Sequence, residues 1–330
     1  MYTRHFMPKM GSVRWTAPSA VGFGLWSVVV TAAFTFGDQT WLAFPALPIS
    51  ILGTAVSFYL GFKGNASYDR MWEARKIWGG IVNTSRTWGT HVTAFIDNAD
   101  DDAVHTELVY RHVAWLTALR IRLRRSKPWE HREPINDHYR EAFGTLDTSD
   151  DALRQGMTPF VDATELDWLM QRQNHTTQLI ATQSRRLKEL RNDGAMDDFR
   201  HMELAKLLET FLTLQGKAER IKNFPLPRQY ATVNRWFVQL FLVLLPLGLL
   251  GSFESLGEHR VWLTVPITVT LAWVFTMWDL LQNYTENPFE GLLNDIPMTA
   301  MSRGIEIDLR EILGETDLPD ALKPVNDLLF

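Results

Sequence analysis

Four stretches of the chain carry no Asp, Glu, Lys, Arg or His: those between Arg14 and Asp38, Asp38 and Lys63, Arg235 and Glu254, and Arg260 and Asp279. Each comes close to the ~20 apolar residues that cross ~30 Å of hydrocarbon at ~1.5 Å per residue. The long middle, from Lys63 to Arg235, has no comparable gap. The pattern predicts two transmembrane helices, a helical soluble region, then two more spans. The first span is expected over Pro18 to Phe36. The second begins near Leu47 and, without an obvious break, becomes a charged helix running to Trp78. Between its two halves lies Gly64-Asn65-Ala66-Ser67, a polar insert that suits a helix facing something wet.

Within the middle, Val104, Leu108, Val109, His112, Trp115, Leu116 and Leu119 recur at three-to-four spacing, one buried face of a helix over 103–125. A further helix is expected from about Ala163 through Gln173 to Arg191, and another from about Asp197 to Lys222. Phe224-Pro225-Leu226-Pro227 cannot continue a helix and predicts the hinge by which the chain returns to the membrane at Tyr230. The expected division is therefore 1–62 (arm and first two spans), 63–229 (cytoplasmic helical region), 230–284 (last two spans) and 285–330 (cytoplasmic tail).

Composition alone would hide these spans. Over 330 residues the chain is 46% hydrophobic and 22% charged, which is the average of two unlike parts. Many of its 13 tryptophans flank the apolar gaps, among them Trp15, Trp41, Trp236, Trp262, Trp273 and Trp278, as interfacial aromatic belts do. The first gap is long and lacks a small-x-small cleavage site, so it reads as a span and not as a signal peptide. Lys and Arg gather on the N-terminal arm (Arg4, Lys9, Arg14), after the second span (Lys63, Arg70, Arg75, Lys76) and before the third (Arg220, Lys222, Arg228, Arg235). The positive-inside rule puts both termini and the soluble region in the cytoplasm. With no cysteine, disulfides and thiolate metal sites are excluded, and a net charge of -5 gives no nucleic-acid signature.

No catalytic constellation emerges, so no enzyme activity is expected. There is no HExxH, Walker A, G-x-S-x-G or dinucleotide fingerprint. His138 with Glu141 has the spacing of helix-surface neighbours. The acidic loop Asp97 to Asp102 lacks the Gly and terminal Glu of an EF-hand; it is expected to be a solvated linker that caps the next helix. Arg120, Arg122, Arg124 and Arg125 suit the C-terminal end of their helix, where the macrodipole favours cations, or an anion-attracting vestibule. Spans without an ionisable side chain argue against a proton-coupled carrier, which buries titratable relays. A pore gated by apolar constrictions is compatible. Four helices cannot enclose a wide path, so a channel requires several copies, each giving one lining helix; the second span is the candidate.

The segment from Pro48 to Gly79 (PISILGTAVSFYLGFKGNASYDRMWEARKIWG) resembles the second-helix signature of bestrophins, particularly the bacterial branch. Asn287-Pro288-Phe289-Glu290, with Asp295-Ile296-Pro297-Met298 and Ser302-Arg303-x-Ile305-Glu306, is similar to the motif that follows the family's fourth span. Phe224-Pro225-Leu226-Pro227-x-x-Tyr230 resembles its motif before the third. The resemblance implies an all-α homopentameric ion channel, each subunit sharing an axis with four copies of itself, in the lipid bilayer of a bacterial inner membrane, passing small inorganic ions. It implies an apolar neck at Leu47, Ile51 and Ala55. A larger apolar residue is usual at the third position, so Ala55 widens that ring unless Phe58 or a small register shift supplies the constriction. A second, cytoplasmic constriction is implied at Ile180, beside Leu179. Eukaryotic members bind calcium through an acidic cluster after Asn-Pro-Phe; here Glu290 is followed by Gly291-Leu292-Leu293-Asn294-Asp295, so no metal or other cofactor is expected. Chloride is the family default, with cation selectivity also open. A non-conducting membrane scaffold and a carrier for a larger anion such as bicarbonate are the rival readings.

Overall fold

The computed structural model describes residues 1–5, 9–97, 103–130 and 146–330, and in these the chain is nearly all helix. Expectations for Asp97 to Asp102 beyond Asp97 itself, and for His138 and Glu141, lie outside the described residues. Ten α-helices are described: α1 (Lys9–Phe36), α2 (Ala46–Phe95), α3 (Ala103–Arg124), α4 (Asp150–Met157), α5 (Ala163–Met170), α6 (His175–Asn192), α7 (Asp198–Asn223), α8 (Arg228–Glu254), α9 (Thr264–Glu286) and α10 (Met298–Ile312). Four segments are long and apolar enough to cross a membrane, Thr16–Phe36, Thr40–Phe95, Arg228–Glu254 and His259–Glu286. These are the four charge-free gaps of the sequence with their flanks.

The chain forms two compact units, one of residues 4–70 and 225–286, the other of 1–3, 71–224 and 287–330. The boundaries fall at Arg70 and Phe224, a few residues from the expected 62 and 229, because α2 runs as one helix of 50 residues through the first of them. Pro227 stands at the start of α8, as its fixed φ and missing N–H favour.

In the unit that contains the spans, contacts are made by small or apolar residues. A Cβ on Gly24 would meet Val269 at 2.8 Å, so α1 and α9 approach as closely as glycine allows. Buried beside them, the Ser27 hydroxyl donates to Thr268 at 3.3 Å.

The helical unit has a larger core built around α3. Only one face of this helix was expected to be buried, yet nearly every residue from Leu108 to Leu123 is. The reason is its surroundings, since α4, α6, α7 and α10 all contact it. Trp78 and Trp88 from α2, Trp115 from α3 and Phe211 from α7 are fully buried. His112 stacks on Trp115 with ring centroids 5.2 Å apart and bonds the Ser85 hydroxyl at 2.8 Å. Burial holds its pKa down at about 3, so the ring is neutral. Arg111 is also buried and spends its guanidinium on Glu165, at 2.8 Å, and Glu107.

The single helix expected over 163–191 is two. Arg172 ends one turn, and Asn174 starts a new helix by accepting from the Thr177 N–H at 3.2 Å. An asparagine side chain competing for backbone donors is what makes an N-cap favourable at that place.

Candidate functional site: the outward face of α2

The first half of α2 has two unlike faces. Ile49, Val56 and Leu60 are buried against Val238, Phe241, Leu242 and Leu245 of α8 and Ala272 of α9. Glycine permits the close approach: a Cβ on Gly53 would meet the Phe241 ring at 2.7 Å, and one on Gly248 would meet Ile49 at 2.6 Å. The other face carries Leu47, Ile51, Ala55, Phe58 and Phe62. At ~100° per residue these five fall within an arc of about 80°. Leu47 is 71% exposed, Ile51 61% and Phe58 66%, and Ala55 is exposed too. The hydroxyls beside the stripe are already committed: Ser50 donates to the Ala46 carbonyl at 2.9 Å and Thr54 to that of Ser50 at 3.0 Å. The stripe therefore offers hydrocarbon and almost no free polar group.

Directly after Phe62 the helix becomes polar on its buried side. Lys63 donates to Asp279 at 2.8 Å and to the Asn283 side chain at 2.7 Å. Asn234 of α8 donates to the same Asp279 oxygen at 3.2 Å, and Gln282 caps the Leu60 carbonyl at 2.7 Å. Lys63 is 5% exposed and Asp279 15%, so the pair is nearly dry and is satisfied from three helices at once. Slightly further on, the Arg70 Nε donates to the Glu286 carbonyl at 2.7 Å, and Arg228 lies 3.3 Å from the Glu286 carboxylate. Sequence reasoning used Lys63 and Asp279 as the ends of two apolar gaps, and Lys63 also as part of a cationic flank, but did not pair them. Their opposite charges at the same expected membrane face were the available signal that they pair.

The family profile described as "Bacterial/Fungal Bestrophin protein" matches residues 6–311. The chain belongs to the bestrophin family. Among similar proteins is a voltage-dependent anion channel-forming protein of Mesorhizobium japonicum, 28% identical over 313 residues, covering 95% of this chain and 89% of the relative. The voltage-dependent anion channel-forming protein YneE of Escherichia coli is 27% identical over 300 residues, covering 91% and 87%. A crystal structure of a bacterial bestrophin homolog from Klebsiella pneumoniae superposes with a TM-score of 0.75 at 25% identity, covering 90% of this chain and 98% of that one.

The bestrophin resemblance also implied a second constriction at Ile180, beside Leu179, on α6. Leu179 is 0% exposed and Ile180 3%, both inside the core of the helical unit with Leu108, Leu187 and Phe211. The neck residues and the α6 pair are in this respect opposites.

The loop after α9 holds the carboxylates left at the family's acidic segment. Asn287 donates to Glu290 at 2.7 Å. Asp295 accepts from the backbone N–H groups of Gly291 and Leu292, at 2.5 and 2.9 Å, and lies 3.7 Å from Arg124. Arg124 in turn donates to the Ile296 carbonyl at 3.0 Å. Burial raises the Asp295 pKa to about 7, with Arg124 opposing, and lowers that of Arg124 to about 10. Among the described residues no three His, Asp or Glu side chains gather in a way that could hold a metal ion. The arginines at the end of α3 go different ways: Arg122 faces Glu219 at 3.5 Å, Arg125 pairs with Asp150, and Arg124 turns inward.

Proposed function

We propose that the chain is one subunit of an anion channel in which several copies, five by family resemblance, surround an axis with the exposed stripe of α2 turned inward. Leu47, Ile51 and Phe58 form successive apolar rings, and Ala55 leaves the widest point between them. The observation that carries this is the stripe itself: large apolar side chains on one face of a spanning helix, each more than half exposed in its own subunit. Only 11% of the α2 apolar window is buried within the chain, against 39% for α8. The family and the names of the anion-channel relatives favour that assembly over lipid as the occupant of the face. Such rings pass a dehydrating ion only when wide enough to stay wet, so they control conductance more than they select for charge.

The relatives' names favour anions, with chloride as the substrate. The Lys and Arg flanks favour the helical unit on the cytoplasmic side of an inner membrane, with both termini there. The test is chloride efflux from liposomes carrying the purified protein, followed by reversal potentials in asymmetric salt. Efflux above protein-free vesicles, with a potential that follows the chloride gradient, is expected. A potential that follows the cation gradient contradicts the anion assignment, and absence of any passive flux contradicts the channel.

A further inference from the structure

The helical unit contains a cavity of about 520 Å³ bounded by α3, the end of α4 and the turn after it, the start of α10, and the chain near Leu322. It is independent of the α2 stripe. Its walls divide into two kinds. Val113, Phe160, Pro159 and Leu322 are apolar, while Arg120, Arg303, Arg310, Thr299 and Ser302 are polar or cationic, with Glu306 an acid among them.

The charges do not cancel locally. Arg310 is matched by Glu315 at 2.6 Å, and Glu306 lies 3.4 Å from Arg303. Arg120 has no carboxylate within ion-pair distance among the described residues. Its one hydrogen bond to a side chain there is a long one, 3.4 Å, to the Thr299 hydroxyl, and its Nε is buried without a partner. Burial and then the nearby Arg303 push its pKa down, with Glu306 opposing. A guanidinium in that condition is desolvated and uncompensated, which costs free energy unless an anion joins it.

Two further groups point the same way. Ser302 is 8% exposed, lines the cavity, and its hydroxyl also has no partner. Thr299 and Ser302 stand in the first turns of α10, a helix of 15 residues whose N-cap, Pro297, supplies no side-chain cap. The face of α10 at the cavity runs from Thr299 to Arg310, and the Ala300 N–H of its first turn is taken by the Phe330 carbonyl at 2.6 Å, so the recognition falls to the side chains. We propose that this cavity binds a small organic carboxylate, its head on Arg120 and Ser302 and its apolar body against Phe160 and Leu322. One unmatched cation favours a monoanion over a phosphate ester. The planar guanidinium fork suits a carboxylate in two-point contact.

Fluorine NMR of para-fluorophenylacetate with the full-length protein in detergent tests this. Saturable binding is expected, at least about tenfold tighter than for the neutral para-fluorophenylacetamide, since charge-assisted contacts are worth a factor of about ten or more. Arg120→Gln is expected to weaken the acid about tenfold and leave the amide unchanged, and Ser302→Ala to weaken it by a smaller factor. Should Arg120→Gln lose its thermal transition, Leu322→Trp decides, because this exposed residue can fill the cavity without touching the core; it is expected to abolish binding. Equal binding of acid and amide overturns the proposal. So does unchanged binding in whichever of Arg120→Gln or Leu322→Trp remains folded, and so does displacement of the probe by inorganic phosphate at lower concentration than by unlabelled phenylacetate.

Discussion

The two halves of α2 are one continuous helix with opposite solutions to the same problem. In the second half, Ala74, Ile77, Trp78, Ile81, Trp88 and Val92 are all buried within the subunit. In the first half, Leu47, Ile51, Phe58 and Phe62 are apolar and large, yet exposed. Hydrophobicity alone does not separate the halves. Partners do: the second half is surrounded by α3, α7 and α10 side chains, whereas the first is packed on one side only. Apolar surface that a chain leaves uncovered at regular spacing is surface meant for lipid or for other copies of itself.

Substitutions in the two halves should therefore part company. Trp88→Ala removes a fully buried indole from the aromatic cluster around His112 and is expected to cost about 3–5 kcal/mol. The loss is read as a fall in the thermal midpoint of the detergent-solubilised protein. A shift of less than a degree or two would mean that the second half is not packed as described.

Asp279→Ala comes next. It leaves Lys63 nearly dry with only the Asn283 side chain as acceptor, at an expected cost of roughly 2–3 kcal/mol for a buried charge stripped of its partner. Restoring stability with the double change Lys63→Met and Asp279→Leu, measured by the same melt, would tie the effect to the pair. Failure of the double change to recover would place the cost elsewhere.

A smaller, pH-dependent effect belongs to the helical unit. His112 is held at about 3 while the unfolded ring titrates near 6.5. The unfolded chain then binds the extra proton, so this group's contribution is complete above 6.5 and is lost as pH falls toward 3. Asp295 acts in the opposite sense. Its folded pKa of about 7 lies above the ordinary 3.8, so its contribution is complete below 3.8 and is lost as pH rises through 7. Chemical denaturation between pH 4 and 7 is expected to show His112→Gln losing acid sensitivity and Asp295→Asn losing the opposing trend. Identical pH profiles for both variants and the parent would remove either group from the balance.

The fold was largely legible because the bilayer imposes a length and a charge rule that a sequence cannot disguise. The four charge-free gaps became four helices, and Pro225 and Pro227 marked the break before α8. Less legible was what depends on tertiary neighbours. Nothing local says that α3 is buried all round, since its Arg111 and Arg124 read as solvent-facing until Glu165 and Asp295 are seen beside them. Asn174 was a readable cap hidden by the helical run on either side. The burial of Leu179 and Ile180 within the core of the helical unit was likewise not visible in the helical run around them. The Arg120 cavity had no linear signature, because its walls come from segments nearly two hundred residues apart.

The central claim is that the outward stripe of α2 lines a path shared by several copies. Ile51→Ala tests it most directly, because Ile51 is 61% exposed within its own subunit. In chloride-loaded liposomes the variant is expected to melt within ~0.5 kcal/mol of the parent, as exposed substitutions do, while chloride efflux rises several-fold as the ring widens and stays wet. Unchanged efflux from a folded, correctly inserted Ile51→Ala protein would contradict the account and leave the stripe as a surface for lipid.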